Sequence, residues 1–410
     1  METQIKKYLK GDATLWIVFI VLCIVSTIEM YSASSTLAYK AANHTVPMLR
    51  HVGFLAGGIL IAFGVHLIPY KYIRILAYGG LALSVVMLIW VLLKGQTQND
   101  ASRWLVILGV QFQPSELAKL SVIIVAADFI SRIKNELTDE KIYFRNTLIL
   151  LAFICPLILL ENFSTAFILF AVVYIMMFIG RISWKRLSSL AGILMLTLLL
   201  GFAVVKTIPE KSMPAMFDRA YTWVGRIDRF TTEKHSEADK YVITDENRQV
   251  QYGRIAIARG GAFGVFPGNS IERDYLPQAY SDFIFAIVVE EMGLIGGIVV
   301  MLLYLILLFR AGQIATKCTS VFPALLVIGL SLMIVIQAFI SMAVASSLGP
   351  VTGQPLPLIS RGGTSILITC IYFGIIFGIT RQVKNEKMPI DESAEAPNDG
   401  LPVVELDDLE

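Results

Sequence analysis

Long apolar runs broken by short polar segments dominate this chain. A run of about 17–25 residues can cross a bilayer as a helix. Stretches of about that size lie at Thr14–Ala33, His51–Pro69, Arg74–Leu93, Pro114–Ile130, Arg145–Leu160, Phe163–Ile179, Trp184–Lys206, Phe283–Phe309, Phe322–Leu348 and Thr364–Thr380. The pattern predicts about ten spanning helices and an all-α polytopic membrane protein. It divides the chain into a polar N-terminus (1–13), seven spans (14–206), one large loop (207–282), three spans (283–383) and an acidic tail (384–410).

Composition agrees with the pattern. Of 410 residues, 56% are hydrophobic and 16% charged, and the mean hydropathy is +0.68, outside the range of soluble domains. A net charge of +2 without a basic, aromatic-laced tract excludes nucleic-acid binding. Cys23, Cys155, Cys318 and Cys370 lie in or beside apolar runs without metal spacing and read as buried apolar residues. METQIKKYLKGD leads into a full-length run with no small-residue cleavage site, so it reads as a cytoplasmic lead into a retained helix.

An even number of spans puts both termini on one side. With the N-terminus inside, Lys and Arg in and around the short loops divide about 17 inside to 5 outside, which predicts cytoplasmic termini. The large loop is then extracytoplasmic. Its aromatics, among them Trp223, Tyr252, Phe263 and Phe266, predict packing against the rest of the molecule. The proline-containing acidic tail from Met388 reads as solvated and disordered.

Three stretches could carry chemistry. In Tyr275–Gly296 a polar approach ends at Ser281-Asp282, where an apolar run begins, so Asp282 stands at a membrane surface; Glu290 and Glu291 follow inside the run, where an ionisable group needs a partner or a job. Asp282 could be a helix cap, or it could join Asp274 as general base and electrostatic or metal ligand. In Ala101–Leu120 the Arg103 guanidinium suits an oxyanion, Trp104 reads as an interfacial anchor, and Lys119 follows Glu116 on one helix face, as an ion pair or as a cation aimed at an anionic substrate. Gly349–Ser365 has too many prolines and glycines to be helical. Irregular backbone at that depth lines a cavity or is buried, so the stretch is either an anion site, with Arg361 before a helix start, or a plain re-entrant turn. The glycines from Gly253 to Gly268 lack the Gly-Lys-Ser/Thr of a phosphate loop, and the four histidines form no ligand set. Asp128 and Glu161 receive no role.

Taken together, Ala101-Ser102-Arg103-Trp104 with QPSELAKL, the YLPQAYSDFIFAIVVEEMGLIG block and the TGQPLPLISRGG block resemble the SEDS proteins of bacterial cell-wall synthesis, the FtsW/RodA/SpoVE family. The likeness covers nearly the whole membrane region, and the Ser-Arg-Trp order is closer to division than to elongation members. It implies a peptidoglycan glycosyltransferase that polymerises lipid II at the outer face of the cytoplasmic membrane, working with a class B penicillin-binding protein and other division proteins. By position, the family's essential Asp falls on Asp282, its second loop acid on Asp274, its loop Arg on Arg103 and its buried Lys on Lys119; Arg361 joins them as a substrate contact. The resemblance implies a divalent cation, magnesium or manganese, at Asp282, and no nucleotide or haem. Departures are Glu161–Thr165 in place of Pro-Asp-Leu/Phe-Gly-Thr, Ser341 and Ala345 in place of Asn, and Val265–Pro267 interrupting Gly-x-Gly. A lipid II flippase, an elongation-type polymerase and a non-catalytic division scaffold are the competing readings. The outward acidic cluster favours the enzyme, because transporters keep their site near the midplane.

Overall fold

The computed structural model describes residues 11–33, 45–94, 96–98, 101–107, 110–133, 137–207, 218–233, 243–244, 247–276 and 279–386, and the acidic tail lies outside them. All ten apolar stretches are helical. They are α1 (Ala13–Ala33), α2 (Thr45–Leu67), α3 (Tyr70–Lys94), α4 (Pro114–Ser131), α5 (Leu137–Glu161), α6 (Phe163–Ile179), α7 (Trp184–Thr207), α10 (Ile284–Ala315), α11 (Val321–Ala345) and α12 (Thr364–Glu386). Two more helices, α8 (Asp218–Glu233) and α9 (Arg248–Gly260), lie in the large loop.

Among the described residues eight helices are long and apolar enough to cross a membrane. The other two stretches are α4, whose 18 residues carry Glu116, Lys119 and Asp128, and α6, with 17 residues. α4 buries most of its side chains among α3, α5, α6 and α11. Its charges are paired there: Lys119 with Glu116, and Asp128 with Arg74 and Arg132. Pairing is what lets ionisable groups stay inside such a bundle. At the edge α7 buries only Leu187 and turns Ile193, Leu196, Leu199 and Leu200 outward, as a lipid-facing helix does. Between α2 and α12 a Cβ on Gly374 would stand 2.7 Å from the Ala62 carbonyl, so a small residue sets the helix spacing.

Cys23 and Cys370 are buried as expected, whereas Cys155 in α5 and Cys318 between α10 and α11 are half-buried. The segment before α4 differs from the expected plain loop: β1 (Gln96–Gln98), β2 (Ala101–Ile107) and β3 (Val110–Phe112) form a small antiparallel sheet in the order β1-β2-β3.

The large loop packs on the bundle in part. The Trp223 ring of α8 lies 4.7 Å from that of Phe163 in α6, and within the loop Tyr252 of α9 stacks on Tyr275 at 5.3 Å. Phe263 and Phe266, however, are exposed, close to the outward-facing Leu294 and Ile295. The loop also breaks α10. Gly293 has φ 71° and ψ 179°, and the chain from Gly261 to Phe266 crosses at the opening. Val265 N and Phe266 N donate to the carbonyls of Glu290 and Glu291, while Leu294 N and Ile295 N donate to those of Gly261 and Ala262. A Cβ at Gly264 would lie 2.2 Å from the Glu291 carbonyl oxygen. The glycine-rich stretch therefore serves a close contact between two backbones.

Candidate functional site

Two irregular segments are bonded to each other at the end of the bundle where α4, α6, α10 and α12 begin. The turn before α10 contains Tyr280, Ser281 and Asp282, and the helix cap position is Phe283, which makes no side-chain cap bond. Against this turn lies the proline-rich segment between α11 and α12. Ser360 Oγ donates to the Ser281 carbonyl at 2.7 Å, and Arg361 N donates to the Tyr280 carbonyl at 2.9 Å. The segment is held from below as well, since Tyr304 Oη donates to the Pro357 carbonyl at 2.5 Å, Gln337 Nε2 to that of Pro355 at 3.1 Å, and Gln354 Nε2 to Thr165 Oγ1 at 2.8 Å. Most of Thr352–Gly362 is buried, so non-helical backbone at this depth has its polar groups satisfied by side chains.

These segments wall a cavity of about 570 Å³. Asp282 and Arg361 both line it, with Arg50 and His51 from α2, Trp104 from β2, Gln113 and Glu116 from the start of α4, Asn162 and Gln354. Asp282 is half-buried, and its Oδ1 accepts from Ser281 Oγ at 2.9 Å. The Arg361 guanidinium lies over the Tyr280 ring at 5.3 Å, a cation–π contact that fixes its plane. Burial pushes the Arg361 pKa down; the Tyr280 hydroxyl opposes this and the like charge of Arg50 adds to it. A cation so placed is short of counter-charge and favours an anion beside it.

Lys119 lies behind this wall, 1% exposed, with Nζ 2.7 Å from Glu116 Oε1 and donating to Gln337 Oε1 at 3.0 Å. Glu116, not Lys119, is the member of the pair that lines the cavity. His51 is tied in through Ser26: the Ser26 hydroxyl donates to the Leu358 carbonyl at 2.7 Å, so His51 Nε2, 2.9 Å away, is the protonated nitrogen.

The predicted acids separate. Asp274 is exposed, 3.9 Å from Arg273 Nε, and is not part of the Asp282 cavity wall, so the two carboxylates do not face one cavity. Glu290 and Glu291 are fully buried and bind the loop that breaks α10. Glu290 accepts from Ser270 Oγ at 2.5 Å and Ile271 N at 3.1 Å, with Arg259 Nε 3.7 Å away. Glu291 accepts from Ser270 N at 3.2 Å and from Ser32 Oγ. Arg103 belongs to β2, and its side chain lies outside the described residues.

Sequence reasoning missed Arg50, which entered only the count of outer-side charges, and it read Trp104 as an anchor when the residue lines the cavity. Asn162 lines the cavity and caps α6, its side chain accepting from Ser164 N at 3.0 Å.

Known proteins match along nearly the whole chain. A family model described as a cell cycle protein, FTSW/RODA/SPOVE, matches residues 12–385. The probable peptidoglycan glycosyltransferase FtsW of Bacillus subtilis is 32% identical over 392 residues, 93% of each chain. The protein of the same name from Saccharophagus degradans is 30% identical over 396 residues, 93% of this chain and 96% of that one. The fold is shared with the rod shape determining protein RodA of Thermus thermophilus, at TM-score 0.63 and 24% identity over 91% of this chain and 97% of that one. It is shared too with a chain of a peptidoglycan synthase complex that coordinates polymerization and crosslinking, at TM-score 0.70 and 24% identity over 91% of this chain and 98% of that one. A match of this extent, over a bundle whose three distinctive stretches meet at one end, means that the chain belongs to the FtsW/RodA/SpoVE family of cell cycle proteins.

Proposed function

We propose that this protein is a peptidoglycan glycosyltransferase that polymerises lipid II at the outer face of the cytoplasmic membrane during septal wall synthesis. The observation that carries the reading is the placement of Asp282 and Arg361 in one polar cavity, on segments bonded to each other. Orientation follows from the positive-inside balance, which puts the Asp282 end outside and both termini in the cytoplasm.

Lipid II brings a long apolar tail, a pyrophosphate and sugars. The acceptor hydroxyl attacks the anomeric carbon of the donor; the new glycosidic bond forms as the bond to the lipid pyrophosphate breaks. Asp282 takes the hydroxyl proton as general base. Arg361 and Arg50 stand against charge developing on the leaving pyrophosphate, in a cavity where Glu116 is already neutralised by Lys119. Arg103 and Asp274 are assigned to substrate binding by family position. Gln113, Asn162 and Gln354 offer hydrogen bonds for sugar hydroxyls.

A divalent cation fits this donor set. Magnesium is held by one or two carboxylates plus substrate phosphates, and Asp282 with the pyrophosphate would hold it or manganese. When bound, it supplies further neutralisation of the leaving group. A class B penicillin-binding protein would crosslink the product, a reading supported by the synthase complex that shares this fold.

The test uses full-length protein with its transpeptidase partner and labelled lipid II. The expected result is a ladder of glycan strands with wild type and none with Asp282→Asn. Translocation of lipid II across proteoliposomes that survives Asp282→Asn, without a ladder from wild type, would instead make the protein a flippase. A silent Asp282→Asn in cells would make it a scaffold.

A further inference from the structure

The end of the bundle away from Asp282 carries a second cavity, of about 630 Å³, walled by the start of α3, the end of α4 and the start of α11. Helix α4 links the two ends: Glu116 reaches the first cavity, and Ser131 and Arg132 line the second, about 24 Å further along at 1.5 Å per residue. Lys71, Arg74 and Arg132 all line the second cavity.

The charge there is organised. Asp128, fully buried in α4, accepts from Arg132 Nη2 at 2.8 Å and Nε at 3.2 Å, from Tyr78 Oη at 2.5 Å and from Arg74. One carboxylate thus fixes two guanidinium groups at the cavity wall. Arg74 is also held over the Phe322 ring at 5.4 Å, and Tyr70 lies against that ring at 6.2 Å. Lys71 adds a third cation, exposed at the mouth, so three positive charges face one negative charge. Ser131 and Ser320 supply hydroxyls.

The remaining wall is apolar and faces outward. Ile75 is 69% exposed and Val321 53% exposed, and both line the cavity. Beside them Tyr72 and Leu76 of α3 are exposed too, on a helix that crosses the membrane. Cations next to an outward apolar wall at a helix end match an amphiphile with an anionic phosphate head and acyl chains. A free phosphate would use the cations and leave Ile75 and Val321 without a role.

We propose that this cavity binds the phosphate headgroup of an anionic phospholipid from the leaflet on the side opposite the polymerisation site. Basic clefts between helices on the cytoplasmic side take such headgroups, and each Lys or Arg near an anionic surface contributes on the order of 1 kcal/mol, about fivefold in affinity. The bound lipid would bridge α3, α4 and α11 at their shared end.

The experiment takes full-length protein in detergent and titrates phosphatidylglycerol, phosphatidylcholine or sodium phosphate, reading retained lipid by native mass spectrometry and the melting temperature in parallel. Phosphatidylglycerol should be retained and raise the melting temperature, while phosphatidylcholine and inorganic phosphate should do neither. Lys71→Ala should weaken phosphatidylglycerol retention about fivefold and Lys71→Arg should restore it. Lys71 is exposed and outside the polymerisation cavity, so both variants should keep the lipid-free melting temperature and lipid II polymerisation. Equal retention of phosphatidylcholine, equal stabilisation by inorganic phosphate, or unchanged retention by Lys71→Ala would overturn the proposal.

Discussion

Asp282 and the pair Glu290-Glu291 stand within ten residues of one another in the sequence, yet the structure gives them opposite settings. Asp282 is half-buried on a cavity wall with a hydroxyl donor beside it and cations across from it. Glu290 and Glu291 have no exposure: Glu290 holds Ser270 Oγ and Ile271 N with Arg259 beside it, and Glu291 holds Ser270 N and the Ser32 hydroxyl of α1 through Oε1, while its Oε2 is buried without a hydrogen-bond partner among the described residues. A carboxylate enclosed by donors has been spent on structure, and one facing a cavity can still meet a substrate. Position in the sequence does not separate them; their neighbours do.

The largest expected effect comes from removing the support under the buried pair. Gly264→Val would drive a side chain into the Glu291 carbonyl at a positive φ of 78°, and should cost about 4 kcal/mol or more, read as loss of monodisperse protein in detergent. Asp282→Asn should do the reverse: polymerisation falls by about 10²–10⁴-fold, the loss of a general base, with an unchanged melting temperature. Glu290→Gln keeps the shape but weakens charge-assisted bonds to Ser270 and Ile271. It should cost about 1.5–3 kcal/mol of stability while the folded fraction still polymerises. If Glu290→Gln abolished activity at full stability, the division between the two settings would fail.

Smaller effects sharpen the comparison. Arg361→Lys retains charge but loses the planar contact with Tyr280, worth about 1 kcal/mol, and should raise KM for lipid II about fivefold with kcat little changed. The smallest effect concerns Glu272 in the crossing loop. Burial, and then Glu290, push its carboxyl pKa up against the pull of Arg259. A raised carboxyl pKa means that its contribution to stability is full below the ordinary glutamate range and is lost as pH rises through the raised value. Melting temperature should fall over that window, and Glu272→Gln should flatten the fall.

Much of this was legible in the chain. Long apolar runs located all ten bundle helices, α4 and α10 included despite the charges inside them, because a helix in lipid must satisfy its own backbone. The three stretches come together in the fold: Asp282, Arg361 and Glu116 line one cavity, with Lys119 behind its wall. What stayed hidden depends on contacts between distant segments. The break at Gly293 lies inside a continuous apolar run and exists because Gly261–Phe266 crosses there. Arg50 entered only the count of outer-side charges until α2 was placed beside the segment before α12, and Asp274 and Asp282 looked paired because sequence distance does not show that Asp282 lines the cavity and Asp274 does not. In the small sheet β1 and β3 have three residues each, too short to show alternation, and the seven residues of β2 end in an apolar run without alternation.

The most direct measurement compares wild type, Asp282→Asn and Glu290→Gln, each purified with the transpeptidase partner, for glycan strands formed from lipid II per folded molecule. The account predicts strands from wild type and Glu290→Gln and none from Asp282→Asn at an unchanged melting temperature. Strands from Asp282→Asn at the wild-type rate would contradict it.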